Sequence, residues 1–253
     1  MAAIAIKFGS HNLGTTEDVE QLQARSSHVI NPVYIPRKNG FIIPAGEVGL
    51  GEISLSGKLT SSSYSNLSTA QNTFNAALKQ GKAKLTFDDT YYMYGQLRDF
   101  DWSYIAMTKA IAWTATFVTE EAKRFSETFQ SQTKSPTTAV AYTDVANSGN
   151  ATTRAKISIT NNTGGAITNF TFENQTTGDK FKFTGSLANT KVLVVNNYAD
   201  YLDTALTVTN DGTDAIAYFE GDPIRLASGT NSLVYTGSTA VSVKTEWHDA
   251  YYL

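Results

Sequence analysis

From Thr153 to Trp247 the sequence keeps one texture: short alternating runs, each closed by a turn signal. The runs are "AKISIT", "ITNFTF", "KFKF", "KVLVV", "ALTVT", "SLVYT" and "AVSVK". Between them stand "NNTGGA", "TTGDK", "NDGTDA" and "SGTN". Seven or eight short strands with such punctuation over ~120 residues specify a β-sandwich. Within it, Asp211-Gly212 reads as a hairpin turn, and "DPIRLASGTNSLVYTG" as strand, turn and returning strand. Leu226, Leu233 and Tyr235 face the core in that reading, and "EWHDAYYL" closes an edge or packs back on the sandwich.

The first half is also mainly β, with one exception. "AIAIKF" and "GSHNLG" read as a first strand and hairpin, and "EDVEQLQARSSHVI" as a second strand or extended arm. "NPVYIPRKNGFIIPAGEVGLG" has three prolines and four glycines, which suit neither a helix nor a central strand. It reads as a long extended loop of the kind that is functional or partner-bound. "GEISLSGKLT" is a strand with Ile53, Leu55 and Leu59 on one face. "SNLSTAQNTFNAALKQG" is the one helix, since Leu67, Ala70, Phe74, Ala77 and Leu78 make a single stripe. Ser65 is its expected cap and Gly81 its expected C′ residue. In "AIAWTATFV", Ile111, Trp113, Ala115 and Phe117 alternate inward. The pattern fades in "EEAKRFSETFQSQTKSPTTAVAY", which places a domain boundary there: 1–133 and 134–253.

Composition narrows the function. The 253 residues carry 17% charged residues and a net charge of −3, which is not the footprint of a nucleic-acid binder. There is no cysteine, so disulfides, thiol catalysis and thiolate metal sites are excluded. "MAAIAIKFGS" does not read as an export signal, and no apolar run approaches the roughly 18 residues of a membrane span. No membrane binding is expected. Sequons at Asn66, Asn150, Asn161, Asn169 and Asn174 follow from a Thr/Asn-rich composition.

No catalytic constellation emerges. The only histidines are His11, His28 and His248, on distant segments. They read as scattered surface residues. Asp88-Asp89 and Asp99 with Asp101 are the paired acids that a glycosidase would need, but they read as turn residues. "NDGTDA" lacks the distal glutamate of a calcium loop. No phosphate-binding, nucleophile-elbow or zinc-protease motif occurs. Catalytic, cofactor and metal residues are all predicted to be none.

The loud feature is aromatic: Tyr91, Tyr92, Tyr94, Phe100, Trp102, Tyr104, Trp113 and Phe117. Core packing, a sugar-stacking platform and a subunit interface all fit such a run.

The order of these elements resembles the distal tail protein family of long-tailed bacteriophages. The loop before the helix has Pro36, Arg37 and Gly40. An acidic-Tyr strand follows the helix from Asp89 to Leu97, and Thr116-Phe117 closes the domain. The late pattern is Leu226, Gly229, Asn231, Leu233, Tyr235 and Gly237. The chain departs from the family in having no proline between Thr116-Phe117 and Pro136.

The resemblance implies a mainly β fold: an N-terminal β-sandwich or barrel-like ring domain with one helix, then a galectin-like β-sandwich. It implies a structural virion protein at the tail tip, made in the bacterial host cytoplasm. Copies would form a homohexameric ring joining the tail tube protein to a tail hub, fibre or receptor-binding protein, with viral DNA only passing through the lumen. Candidate subunit-interface residues are then Pro36, Arg37, Phe41, Pro44, Tyr91, Tyr92, Tyr94 and Trp102. The alternative is a carbohydrate-binding β-sandwich for cell-surface attachment. A galectin-type site is missing, because the second half has one tryptophan, Trp247, and only Arg154 and Arg225 as arginines.

Overall fold

The computed structural model describes residues 6–13, 17–29, 33–34, 41–42, 47–79, 81–87, 90–119, 122–135, 140–197, 206–237 and 241–252. The chain divides into two compact units, Met1–Arg124 with Tyr252–Leu253 and Phe125–Tyr251.

Unit 1 is a twisted antiparallel sheet with one helix on its apolar face. Its elements are β1 (Ile6–Phe8), β2 (His11–Asn12), β3 (Glu17–Val29), β4 (Val33–Tyr34), β5 (Phe41–Ile42), β6 (Glu47–Thr60), α1 (Tyr64–Leu78), β7 (Lys82–Phe87), β8 (Tyr91–Tyr104) and β9 (Ala110–Thr119). The sheet order is β3-β6-β9-β8-β7-β1-β2. Within the expected long loop, β4 and β5 pair with each other through Val33↔Ile42 and Tyr34↔Phe41.

The N-cap of helix α1 lies two residues before the expected one. Ser63 is the N-cap, because its hydroxyl accepts the Asn66 N–H at 3.1 Å. Ser65 lies inside the first turn. The C-terminal cap is Lys79, and Gly81 follows with φ +83°. Leu67, Phe74 and Leu78 are buried against Ile53, Leu55, Leu59, Trp113 and Phe117. Burial of three such side chains contributes about 1.5–3 kcal/mol each. That packing, more than local propensity, holds a 15-residue helix.

Unit 2 is the expected sandwich. Its strands are β10 (Lys123–Lys134), β11 (Val140–Asn147), β12 (Thr153–Asn161), β13 (Ile167–Asn174), β14 (Asp179–Leu187), β15 (Val192–Asn196), β16 (Thr207–Asn210), β17 (Thr213–Asp214), β18 (Phe219–Gly221), β19 (Arg225–Leu226), β20 (Gly229–Thr236) and β21 (Val241–Tyr252), with a 3-10 turn at Ile216–Tyr218. One sheet runs β17-β16-β15-β12-β21-β10 and the other β11-β20-β13-β14-β18. Phe170, Phe172, Phe181, Phe183, Leu233 and Tyr235 from the second sheet meet Ile157, Ile159, Leu193, Val243 and Trp247 from the first. Each of the seven runs named from the sequence overlaps a strand, with Lys191 and Leu206 just before β15 and β16, and with Ala205 and Ala240 outside the described residues. Asp211 (φ 51°) and Gly212 (φ 81°) make the tight β16–β17 hairpin.

The C-terminal segment closes no edge: β21 lies between β12 and β10 in the middle of its sheet. The faded stretch after Thr119 holds strand β10, in which only Phe125 is buried. A strand with nearly every side chain outside the core has no alternation to read. The boundary expected at 133/134 falls at the end of this strand.

Candidate functional site

The candidate chemistry dissolves on inspection of the geometry. Asp99 and Asp101 are not turn residues; they lie within β8, just after a register shift between Leu97 and Asp99. Each carboxylate accepts the next residue's backbone N–H, Phe100 N and Trp102 N, at 2.9 Å. Asp88 and Asp89 lie outside the described residues. His11 sits on β2, edge-on to Phe74 at 5.9 Å. His28 is on β3, and its side chain is outside the description. His248 is not a surface residue: it is buried on β21, with Nδ1 3.2 Å from Thr128 O and its ring edge-on to Phe129. Among the described residues no group of three His, Cys, Asp or Glu could hold a metal ion.

The aromatic strand is divided by the bulge at Leu97/Asp99. Before it, Met93 and Leu97 point to the core, so Tyr92 and Tyr94 lie on the opposite face. Tyr92 is buried, its ring under Lys84 Nζ at 4.2 Å and edge-on to Tyr94 at 5.7 Å. Tyr91 lies under the Arg124 guanidinium at 4.5 Å. After the bulge the parity flips, and Phe100 and Trp102 pack on Phe74 from the helix side at 5.7 and 5.4 Å. Trp102 Nε1 donates to Asn75 Oδ1 at 3.3 Å. The candidate aromatics therefore do not form one surface. Pro36, Arg37 and Pro44 lie outside the described residues, as does the side chain of Phe41.

The most organised polar site is one the sequence reading missed. At one end of the sandwich, buried Asn147 and Asn174 close the β11–β12 and β13–β14 turns: their Oδ1 atoms accept Gly149 N and Thr176 N, each at 3.0 Å. Asn174 also donates to Arg225 O (2.6 Å) and to Asn231 Oδ1 (3.0 Å). Asn231 in turn holds Ala227 N and Ala227 O. Asp179 accepts from Arg225 at backbone and guanidinium. Burial alone would raise its pKa, but the hydrogen bonds from Arg225 and Thr177 hold it below the ordinary carboxylate value. Asn161 makes the same turn at the other end, accepting Thr163 N at 3.0 Å. The signal was present: Asn161 and Asn174 are both followed two residues on by the Thr that makes them look like sequons. Their chemistry is structural, because every polar atom is used to fix loop backbone.

This arrangement explains the late sequence pattern. Leu226, Leu233 and Tyr235 fill the core, and Gly229 takes φ +84°. Asn231 pins the loop, and a Cβ on Gly237 would meet Tyr235 Oη at 2.5 Å.

Residues 148–251 match the family model described as siphovirus-type tail component, C-terminal domain. No curated protein matches the sequence. Among solved structures, the crystal structure of SPP1 Dit (gp 19.1), titled a paradigm of the hub adsorption apparatus in Gram-positive-infecting phages, aligns with a TM-score of 0.74. It is 16% identical, and the alignment covers 98% of each chain. A chain of the phage p2 baseplate in its activated, Sr-bound conformation aligns with a TM-score of 0.50 and 8% identity. That alignment covers 96% of this chain and 97% of the other. At these identities the likeness shows a shared fold along the whole chain.

Proposed function

We propose that copies of this chain, whose residues 148–251 match the siphovirus-type tail component model, close into a homohexameric ring at the end of the tail tube, as the resemblance to the distal tail protein family implies. The protein is a structural component of the phage tail tip and acts within a multi-protein tail assembly. In our reading, residues 1–133 form the ring and residues 134–253 project from it as the sandwich. The ring joins the tail tube protein on one side to a hub, fibre or receptor-binding protein on the other, with DNA passing through the lumen. The Pro/Gly loop and the half-exposed Tyr91 and Tyr94 are proposed contacts between copies.

The observation that carries this reading is the family match over the sandwich, continued by a fold likeness over 98% of the chain. A low charge content and a net charge of −3 suit subunits that bury much surface and a lumen that does not hold DNA. Negative-stain microscopy with light scattering on the purified chain tests it. The expected result is a six-fold ring with a central hole. A particle that stays monomeric at high concentration, and also when supplied with tail-tube ends, sinks the ring reading.

A further inference from the structure

A turn in unit 1 holds a large side chain where the backbone disfavours one. The β8–β9 connection turns through residues 105–108, closed by Thr108 N donating to Ile105 O at 3.2 Å. Met107, the third residue of that turn, has φ 61°. A turn with positive φ at this place takes Gly or Asn, because other side chains are strained there. Met107 is also fully exposed, at 103% of its reference surface, so its side chain gains no burial to offset the strain.

The turn is not a loose tip. Ile105 N donates to Ala110 O at 3.1 Å, Ser61 N to Lys109 O at 3.1 Å, and Lys109 Nζ to Ser62 O at 2.7 Å. These bonds tie it to the start of α1. Tyr104 and Tyr64, on the two tied segments, are 70% and 64% exposed. Tyr104 is braced by its hydroxyl, 3.3 Å from Gln71 Oε1.

Charge says what kind of surface meets it. Residues 61–80 and 102–110 contain no carboxylate, and Lys79 and Lys109 are their only cations. A membrane surface would call for several basic residues around the apolar tip. A carboxylate-free, Tyr- and Met-bearing ridge, whose one turn lysine is engaged by Ser62 O, is instead the composition of a protein-interface centre.

We propose that the Met107 turn is a knob that inserts into the neighbouring copy of this chain. The inference rests on the ring reading above. A closed ring of identical subunits needs a heterologous contact, in which each copy offers one surface and receives a different one. A strained, fully exposed side chain on a braced turn is a surface offered.

Two variants test it, Met107→Gly and Met107→Asp, by light scattering, microscopy and thermal unfolding. Met107→Gly relieves the backbone strain, so the monomer's Tm rises by a few degrees, about 2–4 °C. Ring assembly falls in the same variant, with subunit affinity weakened by about tenfold or more, and Met107→Asp is weaker still. Stability rising while assembly falls is an outcome that a merely structural role for Met107 does not produce. Rings that form like wild type in both variants overturn this inference and leave the ring reading intact. Variants that form normal rings but no longer bind another tail protein also overturn it, by assigning the knob to that partner. A wild-type chain that makes no ring in any setting removes both.

Discussion

Asp179 holds Arg225 at three points: its carboxylate accepts the Arg225 backbone N–H at 3.0 Å, Nε at 3.1 Å and Nη2 at 2.6 Å. The two residues belong to different sheets of the sandwich. Asp179 opens β14, while Arg225 lies on β19, which pairs with β12 through Thr153↔Leu226 and Arg154↔Arg225. Residues 219–226 cross from one sheet to the other, and this pair fixes where they land. The Asp179 side chain is nearly buried while that of Arg225 is more than half exposed.

Asp179→Ala is therefore expected to cost unit 2 about 2–4 kcal/mol, mostly through the unpaired Arg225 N–H and the loss of a charge-assisted bond. Arg225→Lys keeps the charge but not the fork and loses about half as much. Urea unfolding of the full chain reads both; equal midpoints for wild type and Asp179→Ala remove the pin from the account.

Acid sensitivity follows from two buried carboxylates. Asp179 is held low as described. For Glu246, burial opposes ionisation, but hydrogen bonds from Lys244 and Lys156 on the neighbouring strand prevail and lower its pKa. A depressed folded-state pKa gives stability that is present above the unfolded value near 4 and lost as pH falls through the folded value. Wild type should thus lose stability steeply below about pH 4. Asp179→Asn should be less stable at pH 7 yet show a shallower acid slope, measured as Tm against pH. A parallel slope in the two proteins contradicts the assignment.

Strands with one buried face were readable from the sequence because alternation reports burial. Ile111, Trp113, Ala115 and Phe117 are all buried, as the pattern of β9 demanded. The same rule hid β10, whose side chains mostly avoid the core. It also misled at β8, where a bulge changes the parity between Tyr94 and Trp102 so that a cluster in sequence is two faces in space. The polar pins could not be told from ordinary turn residues for another reason. A buried Asn that fixes a loop has the same spelling as an exposed one in a turn, and only the fold separates Asn174 from Asn169.

That separation gives a test. Asn161 and Asn174 are fully buried, whereas Asn66, Asn150 and Asn169 are exposed. Asn161→Ala and Asn174→Ala each strand several loop groups and should cost about 2–3 kcal/mol. Asn66→Ala should stay within about 0.5 kcal/mol. Thermal unfolding of the three variants decides it, and a large loss at Asn66 or none at Asn174 reverses the reading.

Tyr235 Oη is buried with no hydrogen-bond partner, and burial pushes its pKa up to about 12. The folded state therefore prefers the neutral phenol. Its stability contribution is intact below the unfolded value near 10 and falls as pH rises from there toward 12. Tyr235→Phe removes an unsatisfied hydroxyl without changing the ring that packs on Phe170 at 5.8 Å. It should leave stability at pH 7 unchanged or raise it by about 1 kcal/mol, and it should flatten the loss above pH 10. A destabilised Tyr235→Phe would mean that the hydroxyl has a buried partner, such as an ordered water.

Among the described glycines of unit 2, Gly149 is the one where an added side chain would run most closely into a neighbouring backbone. A Cβ there would lie 1.8 Å from Ala250 O, a backbone atom on the central strand β21. The turn cannot back away, because Gly149 N is held by Asn147 Oδ1 at 3.0 Å and Gly149 O by Ser228 Oγ at 2.6 Å. Ala151 N also donates to Ala250 O at 3.0 Å, so a shift of either chain breaks that bridge. Gly149→Ala should therefore destabilise unit 2 by more than about 3 kcal/mol, among the larger single-residue effects. Thr190 offers the opposite sign: its β-branched side chain sits at φ 65° on an exposed turn, so Thr190→Gly should stabilise by about 1 kcal/mol. Measured side by side by urea unfolding, the two substitutions must move the midpoint in opposite directions. A tolerated Gly149→Ala would show that β21 does not hold this turn in place.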